Sequence, residues 1–446
     1  MSYELIQNAT VITMNDQGTV IPRGDVLVQD QHIIAVGPDL ATDHLPEKPI
    51  LTDGSGMWVV PGFVQPHVHL CQTLFKGLAE DFSLLDWLRN RIWPLEAGHT
   101  ESSMEASAKL GIYELLAGGT TTIMDMGTVR HTDVLFETCG RLGIRATIGK
   151  AMMERGKGMP PALRETPELC LRTAVELADR YHDTADDRLK YCFYPRFLLS
   201  VGEGLLKETV AEARARKCRL TTHASENPEE ALAVVEQTKM ESVRFLEKCG
   251  FLGPDVVLAH AIHLTAGEFN LLKDSGTHVV HCPSSNAKLA SGTAKVVEML
   301  KGGINVGLAS DGAPCNNNHC MFTEMRLAAH MQNLRSQQPG SLPAMQAVYM
   351  ATRGGAAAMG LSAEIGSIEA GKKADMVMLN PCRHHSFGPF TDPYTRLVYS
   401  MDARNVVSTW VDGKRLYHKG HLRGVGEASL MHEAGQELEK VLKVLS

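Results

Sequence analysis

Five short apolar runs in this 446-residue chain end in metal-binding side chains, and their spacing constrains the fold more than any other feature. The first, from Trp58 to Pro66, ends in His67 and His69. Two residues apart on an extended strand, these imidazoles point to the same side. The others end in Thr221-Thr222-His223-Ala224-Ser225-Glu226, Leu258-Ala259-His260, Val280-His281-Cys282-Pro283 and Leu308-Ala309-Ser310-Asp311-Gly312. A lone His-x-His arises often by coincidence, so a metal site must rest on ligands supplied elsewhere. Metal-binding types at the carboxyl ends of successive strands are what an enzymatic (β/α)8 barrel displays.

Between residues 59 and 365 strand and helix patterns alternate, as in a parallel sheet. Eight candidate strands end near His69, Met126, Met153, Phe197, Glu226, Ile262, Pro283 and Gly312. Helical patterns lie between them, among them Glu101 to Ala117, Asp133 to Leu142, Thr166 to Tyr181, Leu205 to Arg216 and Thr293 to Lys301. Short strands precede this region (Leu5 to Thr13, Asp25 to Gln29, His32 to Val36) and follow it (Ala374 to Leu379, Val406 to Val411). Neither set can bury a core alone. We expect α/β architecture: a (β/α)8 barrel over residues 59–365, with a small β-sandwich built from residues 1–58 plus 366–425. Residues 426–446 carry a helical stripe (Leu430, Ala434, Leu438, Val441) expected to dock on the surface.

The net charge of −7 offers no basic surface to a nucleic acid, which points to a small neutral substrate. No charged-then-apolar leader opens the chain and no uncharged 18-residue apolar span occurs, so a cytoplasmic protein with no membrane partner is expected. Ten scattered cysteines without paired spacing suit reduced thiols. Cys315 and Cys320 lack the Pro-Cys-x-x-Cys spacing of cytidine deaminases, which disfavours that zinc fold.

With its five motifs in order, the chain resembles the amidohydrolase superfamily over nearly its whole length. The resemblance is to the aminohydrolase branch of guanine deaminase, thiomethyladenosine/S-adenosylhomocysteine deaminase and s-triazine hydrolase. It implies one divalent metal per chain, zinc first and iron second, held by His67, His69, His223 and Asp311. Such a cation lowers the pKa of water to about 7. The same resemblance makes Asp311 a proton acceptor as well as a ligand, sets His260 beside the attacking water, and has Glu226 protonate a ring nitrogen and then the departing amine. Glu226 has a blander reading, as cap of the helix begun by Asn227-Pro228-Glu229-Glu230. Binuclear relatives bridge two metals through a lysine on strand four. Here Lys190 sits at that strand's entrance and Lys150 lies on strand three, so one metal is expected.

For the substrate, Gln72 and Pro195-Arg196-Phe197 resemble guanine deaminases, where glutamine and arginine bond the base's polar edge and the phenylalanine packs on it. Arginine offers only donors, which suits a carbonyl or ring-nitrogen acceptor. In the blander reading Arg196 pairs with a barrel-top carboxylate. Trp87 and Glu96 instead resemble the nucleoside deaminases, whose glutamate holds ribose hydroxyls; those enzymes have histidine where this chain has Arg196, and Trp87 equally suits a core. The expectation is a hydrolytic deaminase of a guanine-like purine base, releasing ammonia. The alternatives are a 5′-methylthioadenosine/S-adenosylhomocysteine-type deaminase, an s-triazine hydrolase and, remotely, a non-catalytic ligand-binding barrel, which should have lost Glu226 or Asp311. A homodimer taking a small N-heteroaromatic substrate completes the reading.

Overall fold

The computed structural model describes residues 2–383, 388 and 392–445; residues 384–387 and 389–391 of the expected terminal unit lie outside the described residues. Eight parallel barrel strands run Phe63–His69, Thr120–Met126, Arg145–Gly149, Leu189–Pro195, Arg219–Ala224, Val256–His260, His278–His281 and a split eighth, Val306–Leu308 with Asp311–Gly312. Each pairs with its sequence neighbour, and the second part of strand eight pairs with strand one, which closes the barrel. The strands read as apolar runs because both faces are covered, by packed side chains inside and by helices outside. Helices Glu101–Ala117, Thr132–Leu142, Pro167–Tyr181 and Glu203–Ala215 supply part of that outer layer. The first starts at a capping box, with the Thr100 side chain and Ser103 satisfying each other's backbone N–H groups.

Strands from both ends of the chain join in one nine-stranded sheet. Met376–Leu379 lies antiparallel to Trp58–Pro61, which is itself parallel to Tyr3–Ile12, so neither end forms this layer alone. Its core includes Ile6, Val11, Val26, Val59, Met376 and Trp410. The chain passes from sheet to barrel at Gly62. The N–H of Gly62 donates to Asp375 O and the next N–H, of Phe63, to Gly119 O. A Cβ on Gly62 would lie 2.1 Å from Thr121 Oγ1, so only glycine fits this crossing. The two layers are also bolted by charge: Arg145 at the start of strand three donates to Asp375 at 2.9 and 3.1 Å and pairs with Asp412, all three buried.

The last helix, Glu427–Leu445, packs Ala434 and Val441 against Leu74, Phe75 and Leu95. It thereby braces the two segments that carry Gln72 and Glu96. No helix among the described residues is long and apolar enough to cross a membrane.

Candidate active site

The carboxyl ends of strands one, five and eight bring His67, His69, His223 and Asp311 together, one donor atom from each lying within 4.8 Å of the others. Asp311 Oδ1 is 3.1 Å from His67 Nε2 and 3.4 Å from His69 Nε2. The backbone sets which nitrogen faces this centre. His69 Nδ1 donates to Met126 O and His223 Nδ1 to Arg196 O, each at 2.7 Å, so both rings turn their Nε2 lone pairs inward. Burial lowers the pKa of all three imidazoles, that of His69 to about 3, and keeps them neutral. Burial pushes the Asp311 carboxyl upward, but His67, His260 and His69 outweigh it and hold the group well below the usual carboxylate range. Three neutral imidazoles and one carboxylate around a common point are the donor set of a divalent metal site.

Glu226 and His260 stand over the same point. His260 Nδ1 donates to Asn286 Oδ1 at 2.9 Å, which leaves its Nε2 facing Glu226 Oε2 at 3.6 Å and Asp311 Oδ2 at 3.8 Å. Burial raises the pKa of Glu226 to about 7, enough for the carboxyl to hold a proton near neutrality. Glu226 does not cap the helix that follows it: Asn227 does, through its Oδ1 and the Glu229 N–H. Ser225, His260 and Asp311 adopt positive φ of 51°, 71° and 64°. Strain of this kind in non-glycine residues gathers where surrounding structure must aim side chains into a site.

The pocket above is walled by Trp87, Phe197, Leu84, Leu88 and Leu289, with Gln72 and Arg196 as its polar edge. Glu96 does not reach that wall. It lies beneath, with Arg196 Nη2 on Oε1 at 3.0 Å, Arg196 Nη1 on Oε2, and Gln72 Nε2 on Oε1 at 2.8 Å. Burial raises the Glu96 pKa, but the Arg196 charge and the hydrogen bonds from Arg196 and Gln72 reverse this and keep it ionised. The structure therefore joins two side chains that the sequence assigns to different substrates. Among the described residues, nothing hydrogen-bonds the buried Gln72 Oε1.

Lys150 points away from this centre into an ion pair with Glu165, and Lys190 pairs with Asp183 at the other end of its strand. His263 is tied to the Ser291 carbonyl at 2.6 Å, and His281 is buried with neither ring nitrogen bonded among the described residues. Asn286, which fixes the His260 ring, is absent from the sequence reading; the polar run that follows Cys282-Pro283 was its only signal. The carbonyls of Met126 and Arg196, which orient two imidazoles, leave no trace in side-chain patterns.

Against known proteins, the sequence profile of the Amidohydrolase family matches residues 58–416. The chain belongs to the amidohydrolase family. This amidohydrolase is 36% identical over 420 residues, 94% of each chain, to the 5-methylthioadenosine/S-adenosylhomocysteine deaminase of Halobacterium salinarum. It is also 36% identical over 414 residues, 93% of this chain and 94% of the relative, to the 5'-deoxyadenosine deaminase of Methanothermobacter thermautotrophicus. Among solved structures, an adenosine deaminase from Xanthomonas campestris with bound zinc superposes with a TM-score of 0.92 at 28% identity, over 98% of both chains. As a family member the protein is a metal-dependent hydrolase acting on C–N bonds.

Proposed function

We propose that this amidohydrolase is a zinc-dependent deaminase with one metal per chain, which replaces the ring amine of a 5′-modified adenosine with oxygen and releases ammonia. The observation that carries the reaction class is a protonated-range carboxyl, Glu226, set beside Asp311 and His260 at the mouth of a three-histidine, one-aspartate centre. The substrate class is supported by the two relatives named for adenosine-derived substrates. They favour this reading over the guanine-like one.

His67, His69, His223 and Asp311 hold the cation, which when bound makes hydroxide available at neutral pH. Asp311 takes the proton that the attacking water gives up. Glu226, protonated near neutrality, donates to the ring nitrogen beside the reacting carbon; as a carboxylate it then takes the remaining proton of the added hydroxyl and passes it to the departing amine, and the proton held by Asp311 restores its own. His260, its ring fixed by Asn286, bonds the attacking oxygen. Trp87 and Phe197 offer apolar faces to the heterocycle, and the leucines around them exclude bulk water.

One observation favours a second reading, a free oxo-purine base. Gln72 Oε1 is a buried acceptor in want of a donor, and Arg196 lines the same edge. A lactam edge, with N–H beside C=O, offers the donor that Gln72 Oε1 wants and an acceptor facing Arg196. Ammonia release from 5′-deoxyadenosine, 5′-methylthioadenosine, adenosine and guanine, assayed side by side, separates the two. Turnover of the nucleosides at least about tenfold faster in kcat/KM supports the proposal, and guanine as the preferred substrate overturns it.

A further inference from the structure

Barrel strand eight changes partners half-way. Val306–Leu308 pairs with strand seven and Asp311–Gly312 with strand one, and the change falls at Ala309 and Ser310. Ala309 still donates to His281 O at 3.1 Å. Ser310 instead bonds side chains: its N–H donates to Gln65 Oε1 at 3.0 Å, its carbonyl accepts from Asn316 Nδ2 at 2.8 Å, and its hydroxyl meets His319 Nδ1 at 2.8 Å. On the facing strand Pro66 has no N–H to offer, and the register of strand one against strand two shifts between Gln65 and Val68. Two ladders are interrupted at one level, across Pro66 and His67 on one strand and immediately before Asp311 on the other.

Gln65 spans that gap. Fully buried, it accepts from Ser310 through Oε1 and donates through Nε2 to Thr120 Oγ1 at 2.8 Å and to His319 O at 3.1 Å. One acceptor and two donors are in use, a set that a carboxamide has and a carboxylate or thioether lacks. The next residue after the braced serine is Asp311, at φ 64°, a conformation that strains any non-glycine residue and persists only where neighbours enforce it.

We propose that Gln65 is a positioning residue for Asp311: by bracing Ser310 across the broken seam it keeps the Asp311 carboxylate against the inward nitrogens of His67 and His69. The proposal rests on Asp311 serving as ligand and proton acceptor. Gln65→Met removes all three bonds at nearly constant volume. Thr120→Val removes one of them and leaves both facing strands untouched. Three quantities are read: zinc affinity of the metal-free protein by competition with a chromophoric chelator, kcat and KM of the zinc-loaded protein, and the unfolding temperature of the metal-free protein. Gln65→Met is expected to weaken zinc binding and lower kcat by about 10- to 100-fold each, with KM within about threefold. Thr120→Val should move both in the same direction by less. Unchanged zinc affinity and unchanged kcat per bound zinc, with only a lower unfolding temperature, would reduce Gln65 to a structural strut and overturn the proposal. Should Gln65→Met fail to fold, Thr120→Val decides by the same two readings. Should the wild type deaminate none of the substrates, the proposed function fails, and zinc affinity alone still decides on Gln65.

Discussion

Arg196 and Glu96 form a two-pronged ion pair under the substrate pocket, with side chains 5% and 1% exposed and 3.0 Å between Nη2 and Oε1. A charge pair removed from water this completely stands only while both partners are present. Arg196→Ala is expected to destabilise the fold by about 3–5 kcal/mol, because it strands the Glu96 carboxylate in a dry site. Urea unfolding reads this directly. An unchanged midpoint together with a roughly tenfold drop in kcat/KM would instead make Arg196 a direct substrate contact.

Glu226→Gln should keep its metal and lose nearly all turnover, since the amide fills the same space without carrying the proton. Metal analysis and a rate assay on one preparation check both halves, and a variant retaining more than about a tenth of the wild-type rate would take Glu226 out of the mechanism.

The same carboxyl sets a pH dependence. Burial raises its pKa from the ordinary carboxylate value to about 7, so the reactive, protonated form is lost as pH rises through about 7. The wild-type kcat/KM should fall on that alkaline side. For stability the sign is parallel: the folded protein holds this proton more tightly than the unfolded chain, so the contribution is complete below about 4.5 and is lost as pH rises through about 7. Metal-free Glu226→Gln should therefore be more stable than the metal-free wild type at about pH 8, by up to about 3 kcal/mol, with the gap closing near pH 4. Equal stability of the two at alkaline pH would show that the Glu226 carboxyl is ionised at little cost.

The strand ends were legible because a buried parallel strand is an apolar run that stops where chemistry begins: His69, Met126 and Gly312 end strands as expected, strands four to seven stop two residues before the expected positions, and strand three stops at Gly149, four residues before Met153. Imidazoles and carboxylates at those ends declare themselves by type. The helix expected from Thr293 begins only at Val296, since Lys295 holds a non-helical backbone. What stayed hidden is contact between distant residues. Nothing local to Glu96 marks Arg196, 100 positions on, as its partner, and nothing near Gln65 marks Ser310. Arg196 alone reads as a substrate contact or as the partner of some barrel-top carboxylate, and the structure gives it that partner in Glu96; which carboxylate it is, and which backbone Gln65 meets, only the closed barrel shows.

One equivalent of divalent metal per chain is expected by elemental analysis of the purified protein. His67, His69, His223 and Asp311 form one donor set, and neither Lys150 nor Lys190 points toward it to bridge a second ion. Two tightly held metals per chain would contradict this.

Trp87 ends a short helix, Leu84–Trp87, with its ring on the pocket wall and its buried indole N–H without a partner among the described residues. Its role divides cleanly by measurement. A wall that merely touches the heterocycle binds ground state and transition state alike, so Trp87→Ala should raise KM by roughly 5- to 30-fold and leave kcat nearly unchanged. Trp87→Phe keeps an aromatic face and should recover most of the affinity. A residue that only fills the core would behave otherwise: truncation would cost about 3–5 kcal/mol of stability with KM unmoved. The ring borders the cavity with Phe197 and Leu88, all three nearly buried, so a substrate lying against it covers what little of that wall is still exposed. A KM unchanged in Trp87→Ala would remove the indole from the binding surface and leave Phe197 as its aromatic face.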